Sequence, residues 1–121
     1  MFTIEFEPSR NLLVIRYRDH VGPDETARAL EEMRLALERV ERGFRLLADL
    51  TELRSMDIAC APHIESAMDL CNGKGVAQVV RIIPDPRQDI GMQIMSYFHY
   101  GGDVRIVTCE TAEEAATFLA G

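Results

Sequence analysis

The sequence predicts an α/β fold with the element order β-β-α-β-α-β-α-β-α, in which a five-stranded, mostly parallel sheet carries one antiparallel edge strand. Two strand-like segments around a turn cluster open the chain, and amphipathic segments then alternate with apolar ones. Strands joined by helices pair in parallel through right-handed crossovers, whereas an opening hairpin is antiparallel. Because the chain has 121 residues and 47% hydrophobic content, we expect a single domain over residues 1–121.

The first two strands are indicated by their hydrophobic pattern. Phe2, Ile4 and Phe6 alternate with polar residues, which is typical of a half-buried strand. Residues 8–11 read Pro-Ser-Arg-Asn and form a turn cluster, and residues 12–17 supply a more continuously apolar second strand. Together the two segments predict a β-hairpin.

The first helix is predicted to begin at Pro23 and to end before Gly43. Proline suits the first helical position, acidic residues follow it at the positive end of the helix dipole, and glycine is a natural stop. The buried stripe recurs at spacings of three and four, at Leu30, Met33, Leu37 and Val40. Residues 44–50 then predict the third strand.

The second and third helices flank the fourth strand. Gly73 and Gly75 close the second helix, whose buried stripe consists of Ala61, Ile64, Met68 and Cys71. Residues 76–83 predict the fourth strand, which ends at a Pro-Asp-Pro segment. The third helix is predicted over residues 87–100, with an apolar stripe at Ile90, Ile94, Tyr97 and Phe98.

The last strand and helix close the chain. Residues 104–108 predict the fifth strand. Thr111 and Glu114 form a capping box, in which the threonine is the N-cap and the glutamate reaches back to it. The final helix is expected to bury Ala115, Phe118 and Leu119.

Arginine interrupts four of the five predicted strands, at Arg16, Arg45, Arg81 and Arg105. A parallel sheet that is covered by helices on both faces has nearly continuous apolar strands. We therefore expect the helices to gather mainly on one face, while the other face is partly open and carries some of these arginines.

Composition and charge exclude several classes of protein. Thirteen basic and twenty acidic residues give a formal net charge of −7, which argues against general binding of nucleic acid or anionic membrane. No apolar run reaches the roughly 18 residues that span a bilayer, and the first residues resemble a strand, so we expect a cytoplasmic protein. The three cysteines lack the close spacing of a zinc site or disulfide framework.

Two segments resemble the STAS family, the fold of bacterial anti-sigma factor antagonists. Residues 46–51 read Leu-Leu-Ala-Asp-Leu-Thr, and residues 56–59 read Met-Asp-Ile-Ala. In that family a hydrophobic strand ends in Asp-Leu-Ser or Asp-Leu-Thr, and a short loop leads to Asp-Ser-Ser at the start of a helix. The whole chain is also similar to a bacterial STAS-like subgroup that is grouped with CRAL-TRIO lipid-carrier folds, in which an opening hairpin accompanies a closing segment like residues 111–119.

The resemblance implies a regulatory protein without the family's phosphorylation switch. In the family, a serine or threonine at the helix N-terminus is phosphorylated, and the added charge changes partner binding. Asp57 matches the aspartate of the motif, but Ile58 and Ala59 follow it and carry no hydroxyl group. Ser55 is close in sequence but does not occupy the matching position, so kinase-regulated partner switching is not carried over.

The candidate site is the rim at the carboxyl ends of the strands, where open parallel sheets bind ligands. Together with the methionines of the third helix, it gives a candidate ligand or partner surface of eight residues: Asp49, Thr51, Ser55, Asp57, Ile58, Asp85, Met92 and Met95. A paired-carboxylate or metal site at Asp49 and Asp57 is one interpretation. The favoured one is that Asp57 caps its helix while Asp49 accepts hydrogen bonds from loop amides.

Two functional hypotheses follow. The first is a non-catalytic regulatory or protein-interaction module of STAS type that binds a protein partner or itself. The alternative is a carrier or sensor of a small apolar or lipid-like ligand, which predicts a cavity between helix and sheet. An enzyme that uses Cys60 and His63 ranks third, since a buried cysteine is more often a small hydrophobic residue than a nucleophile. We expect no catalytic residue, no metal and no cofactor.

Overall fold

The computed structural model describes residues 1–84 and 100–120. Five strands in these stretches form the main sheet, namely β1 (Phe2–Glu7), β2 (Leu12–Tyr17), β4 (Arg45–Asp49), β6 (Gln78–Ile82) and β7 (Arg105–Cys109). Their order across the sheet is β1-β2-β4-β6-β7. Strand β1 runs antiparallel to β2, and every other neighbouring pair is parallel. The predicted sheet is confirmed.

A second, two-stranded sheet was not predicted. Strands β3 (Asp19–Val21) and β5 (Leu53–Met56) pair in parallel beside the main sheet. Asp19 adopts a left-handed backbone conformation with φ of 59°, and the register shifts between it and His20. This irregular residue redirects the chain out of β2, and its amide donates a hydrogen bond of 3.0 Å to the carbonyl of Glu52.

Three helices occur in the described residues. Helix α1 spans Pro23–Ala36, α2 spans Ala61–Gly73 and α3 spans Ala112–Leu119. A 3-10 turn, Ile58–Cys60, leads directly into α2. The predicted capping threonine is confirmed, because the hydroxyl oxygen of Thr111 accepts a hydrogen bond from the Glu114 amide at 3.2 Å. The helix predicted over residues 87–100 lies outside the described residues apart from Tyr100, which is buried.

Helix α1 ends at Ala36, earlier than the predicted end just before Gly43. The chain continues as turns, in which the Glu38 amide donates to the Leu35 carbonyl, and the side chain of Asn11 then binds the backbone of Glu41 twice. Its amide nitrogen donates to the Glu41 carbonyl and its carbonyl oxygen accepts from the Glu41 amide, each at 3.0 Å. These bonds hold the chain against the β1–β2 hairpin, and Gly43 then turns it into β4 with φ of 89°.

The sheet has two differently covered faces. Helices α1 and α2 cover one face, here called the two-helix face, where Met33 and Met68 pack against Leu13, Ile15 and other buried side chains. Helix α3 covers the other, here called the α3 face, and packs against buried residues of the central strands: Leu12, Val14, Val80 and Ile82. Two of the three described helices therefore lie on one face, as expected.

Three of the four strand arginines lie on the α3 face, and Arg81 does not. Residues that pair across parallel strands point to the same face. Arg81 pairs with Ala48 and Thr108, which places it on the two-helix face. Its side chain is 2% exposed, and Nη2 donates a hydrogen bond of 2.8 Å to the Thr108 hydroxyl. Arg81 therefore belongs to the interior and not to an open surface.

None of the helices in the described stretches is both long enough and apolar enough to cross a membrane.

Candidate functional site

The candidate site lies where β4 and β5 end and α2 begins. The β3–β5 sheet fixes this corner, because the amide of Asp57 donates a hydrogen bond of 3.0 Å to the carbonyl of Val21. The thiol of Cys60 contacts the same carbonyl at 3.6 Å, and both Val21 and Cys60 are fully buried. The turn before α2 is therefore tied to the interior while its outer residues face solvent.

Asp49, at the end of β4, is held by its own neighbours. One carboxylate oxygen accepts hydrogen bonds from the Thr51 amide, at 3.0 Å, and from the Thr51 hydroxyl. The other oxygen accepts from Nε of Arg16 at 3.3 Å. The prediction that Asp49 binds loop amides is confirmed, and Thr51 is the residue that supplies the amide.

A polar groove of about 220 Å³ lies beside Asp49 at the carboxyl ends of β2 and β4. Its charged side chains form two pairs, because Arg16 binds Asp49 and Arg18 binds Glu52 at 3.0 Å. Both pairs are partly exposed and join adjoining segments of the fold. We attribute them to the anchoring of the strand ends, which is a modest contribution for solvent-exposed charges.

Asp57 and Ile58 form the tip of the site. Oδ1 of Asp57 accepts a hydrogen bond of 2.9 Å from the amide of Ala59, so that Asp57 is the N-cap of the turn that leads into α2. The predicted capping role is confirmed. Ile58 follows directly and has 89% of its surface exposed, the largest exposed fraction of any large hydrophobic residue in the described stretches.

The structure does not join Asp49 and Asp57 into one site. Each carboxylate has its own set of partners on a different segment. In residues 1–84 and 100–120, no three acidic, histidine or cysteine side chains are grouped closely enough to hold a metal ion. The interpretation that these two aspartates are a cap and a loop anchor accounts for both.

Ser55 takes part in a contact that sequence reasoning missed. Its hydroxyl lies 2.7 Å from Nδ1 of His20, and the two residues are register partners in the β3–β5 sheet. Both are exposed, so water competes for the same groups. The contact belongs to the small sheet, whose strands are too short for a periodicity argument to detect.

Cys60 and His63 do not form the nucleophile–base pair that the third-ranked enzyme hypothesis requires. The Cys60 thiol faces the Val21 carbonyl, whereas Nδ1 of His63 lies 3.0 Å from the hydroxyl of Thr26. Thr26 is on α1 and is 2% exposed. His63 therefore joins the beginnings of the two helices, and Cys60 is a buried core residue.

Three predicted surface residues, Asp85, Met92 and Met95, lie outside the described residues.

Tyr100 is described and is 8% exposed. Burial raises the pKa of its phenol well above the ordinary value, and burial likewise raises the pKa of Cys71 to about 12.

An apolar cavity of about 60 Å³ lies between α2 and the two-helix face. Ile15, Leu46, Ile64 and Met68 contribute to its walls, with Tyr100 at one side. The carrier hypothesis predicts a cavity in this place. Pockets that hold drug-sized ligands measure roughly 300–1,000 Å³, so that this space fits a few atoms and not a lipid chain.

Comparison with known proteins gives likenesses of structure only. No family model and no curated protein matches the sequence. A protein of the DUF3478 family with a SpoIIAA-like fold, from Shewanella loihica, superposes with a TM-score of 0.73 and 19% identity over 98% of this chain and 93% of its own. Phosphorylated SpoIIAA, a Bacillus cell fate determinant, superposes with a TM-score of 0.66 and 16% identity. That match covers 98% of this chain and 99% of SpoIIAA.

An anti-sigma factor antagonist from Mycobacterium paratuberculosis gives a TM-score of 0.63 and 11% identity, over all of this chain and 96% of its own. These matches extend over almost the whole of both chains, and they agree with the resemblance of residues 46–51 and 56–59. The chain therefore has the SpoIIAA-like fold, which is the fold of the STAS proteins.

Proposed function

We propose that this chain is a non-catalytic regulatory module of STAS type that binds a protein partner through a docking surface. The docking surface comprises Ser55, Asp57 and Ile58, with Asp49 and Thr51 at the adjoining end of β4. On sequence grounds the proposal also includes Asp85, Met92 and Met95. The observation that carries it is the 89% exposure of Ile58 at the start of α2.

The position of Ile58 makes its exposure informative. Single exposed hydrophobic residues are common, and most of them need no explanation. Ile58 differs because its backbone is held by the Asp57 cap and by the bond from Asp57 to Val21. A backbone that is already fixed loses little conformational entropy when a partner covers its side chain, and burial of an isoleucine side chain contributes about 1.5–3 kcal/mol.

The solved structures with the same fold support a protein partner. SpoIIAA in its unphosphorylated form and the protein from Mycobacterium paratuberculosis are both named as anti-sigma factor antagonists, a name that describes action on another protein. One is also known in a phosphorylated form. Ile58 and Ala59 offer no hydroxyl at the corresponding place, so we propose that this module binds without a phosphorylation switch there. We also propose the cytoplasm as its location.

The test replaces Ile58 with aspartate and compares the proteins recovered with tagged wild type and variant. We expect Ile58→Asp to lose the partner, because a charge replaces the apolar contact. Leu35→Asp is the matched control, since Leu35 is 63% exposed on α1, away from the docking surface. A partner that survives Ile58→Asp, or that both variants lose equally, contradicts the docking surface.

Self-association is measured on the same proteins. Sedimentation of the wild type over a range of concentrations shows whether the chain pairs with itself. If it does, Ile58→Asp should shift it to the monomer while Leu35→Asp leaves it paired. A dimer that Ile58→Asp does not weaken would use another surface.

A further inference from the structure

We infer that the partner on the docking surface is a second copy of this chain, and that the side chain of Ile58 enters an apolar groove of that copy between the ends of α1 and α2. The inference rests on the docking surface proposed above and names one occupant for it. A projecting apolar side chain and a complementary pocket elsewhere on the same surface bring copies of a chain together.

The groove, here called the α1–α2 groove, has a volume of about 220 Å³. The surface inside it is mostly apolar, and the residues that line it are Arg34, Leu37, Asp69, Leu70, Gly73 and Lys74. Leu37 is buried and Leu70 is half-buried, so the space ends on hydrocarbon. Gly73 leaves room there, because a Cβ added at that residue would meet no atom within 4 Å. The groove can therefore admit an aliphatic side chain.

Ile58 cannot enter the groove of its own chain. It lies in the turn before α2, whereas Gly73 is the last residue of that helix. Helical geometry separates the two residues by about 20 Å along the axis. The isoleucine that fills the groove therefore comes from another copy. Because the projecting side chain and the groove are different parts of the surface, each can be inactivated without changing the other.

The charges beside the two features are opposite in sign. Asp57 is the one charged residue between positions 55 and 62, and its cap uses Oδ1 of a carboxylate that can accept bonds on both oxygens. Two basic side chains, Arg34 and Lys74, line the groove against one acid, Asp69. Lys74 is exposed and has no ion pair with the described residues. A second copy that inserts Ile58 would bring Asp57 to this basic rim.

Burial of Ile58 supplies most of the expected affinity. The side chain is 89% exposed in the single chain, and its transfer into an apolar groove strengthens binding about 10- to 100-fold. An exposed pair between Asp57 and Lys74 adds less, about two- to fivefold, and salt weakens it. Variants of Ile58 and of the groove should therefore lose more association than a variant of Lys74.

Sedimentation of the purified chain alone tests the contact. The wild type should associate as its concentration rises into the millimolar range, and Leu35→Asp, away from both features, should associate equally. Ile58→Asp should stay monomeric, and so should Gly73→Leu, which fills the groove at a position whose backbone tolerates a side chain. Lys74→Met should weaken association about two- to fivefold and reduce its dependence on salt. Thermal unfolding of each variant checks that it is folded.

A mixture of two variants provides the decisive measurement. Ile58→Asp keeps an intact groove and Gly73→Leu keeps an intact isoleucine, so an equal mixture should form pairs that neither variant forms alone. A wild type that stays monomeric at every concentration, or a mixture that does not pair, overturns the inference. The docking surface would survive that result if a different protein, recovered from cells with the wild type, is lost with Ile58→Asp.

Discussion

The guanidinium of Arg45, at the first residue of β4, donates a hydrogen bond of 2.8 Å to the backbone carbonyl of Leu119, the last residue of α3. The two residues are 74 positions apart. Carbonyls in the last turn of a helix have no partner within the helix, and a cation is favourable at that end of the helix dipole. The bond therefore fastens α3 to its face of the sheet.

Removal of this donor should loosen α3. Arg45→Met keeps most of the side-chain length, and we expect it to lower the free energy of unfolding by about 1–3 kcal/mol, since the lost bond has a charged donor. Urea unfolding gives the value, and amide exchange should quicken in α3 before the main sheet. Arg34→Met removes an arginine whose one ion pair among the described residues is an exposed one on α1, and should change stability by less than about 0.5 kcal/mol. Equal effects of the two variants contradict the fastening role.

Gly75 should not tolerate a side chain. Its φ is 87°, a left-handed conformation that favours glycine, and an added Cβ would lie 2.6 Å from Cγ of Arg42. Gly75→Ala should therefore destabilise the protein by at least about 1–2 kcal/mol. Gly73→Ala is the control, because that position ends α2 with open space around it, and alanine there should be neutral or stabilising by up to about 1 kcal/mol. Thermal unfolding that ranks the two variants in the opposite order contradicts this account.

The cap at Asp57 should contribute to stability separately from any partner. Asp57→Ala leaves the Ala59 amide without its acceptor and should cost about 1 kcal/mol in chemical denaturation. Asp57→Asn keeps a capping oxygen and should be close to wild type. If the two variants lose the same stability, the charge of Asp57 matters more than its hydrogen bond.

Stability should fall at alkaline pH. The pKa of Cys71 is raised from 9.0 to about 12 in the folded protein because burial disfavours the thiolate. The unfolded chain then releases this proton first, so the contribution of Cys71 is complete below pH 9 and is lost as pH rises toward 12. We expect a slope of roughly 1.4 kcal/mol per pH unit from this group within that window.

Urea titrations between pH 8 and pH 11 measure this slope. Cys71→Ala should remove that part of it, although the variant starts from a lower stability because it loses a buried contact. Tyr17 and Tyr100 also have pKa values raised by burial, and they should keep the remaining curve falling above pH 10. A pH dependence that Cys71→Ala leaves unchanged contradicts the assignment.

The mass of the protein as purified from cells tests the carrier alternative. A cavity of about 60 Å³ is too small for a lipid chain, so native mass spectrometry of protein purified from cells should give the mass of the polypeptide alone. An adduct that denaturing conditions release would favour the carrier hypothesis. Widening the cavity with Ile64→Ala provides a positive control, since a larger apolar space can admit a small apolar probe such as benzene.

Residues with local signals were predictable from the sequence. The alternation of Phe2, Ile4 and Phe6 predicts β1, and the caps at Asp57 and Thr111 follow from the side chains that amides at a helix start require. The sequence predicts a partner surface that includes Ile58, but it could not show how far that side chain is exposed.

The features that the sequence did not predict depend on contacts between distant segments. The β3–β5 sheet has only one fully buried residue, Val21. Its strands therefore show no alternation of apolar and polar residues from which they could be predicted. The burial of Arg81 is set by its register with Ala48 and Thr108. The contact between His63 and Thr26 joins residues 37 positions apart and depends on how the two helices approach.

The hydrocarbon side chain of Ile58 has a consequence for any cell that uses such a module. An isoleucine side chain cannot be phosphorylated, so the apolar contact that Ile58 offers is the same in every copy of the chain, whatever happens to the hydroxyl groups of Ser55 and Thr51. At this one position, occupancy by a partner would depend on mass action, and would rise and fall with the abundance of the two proteins.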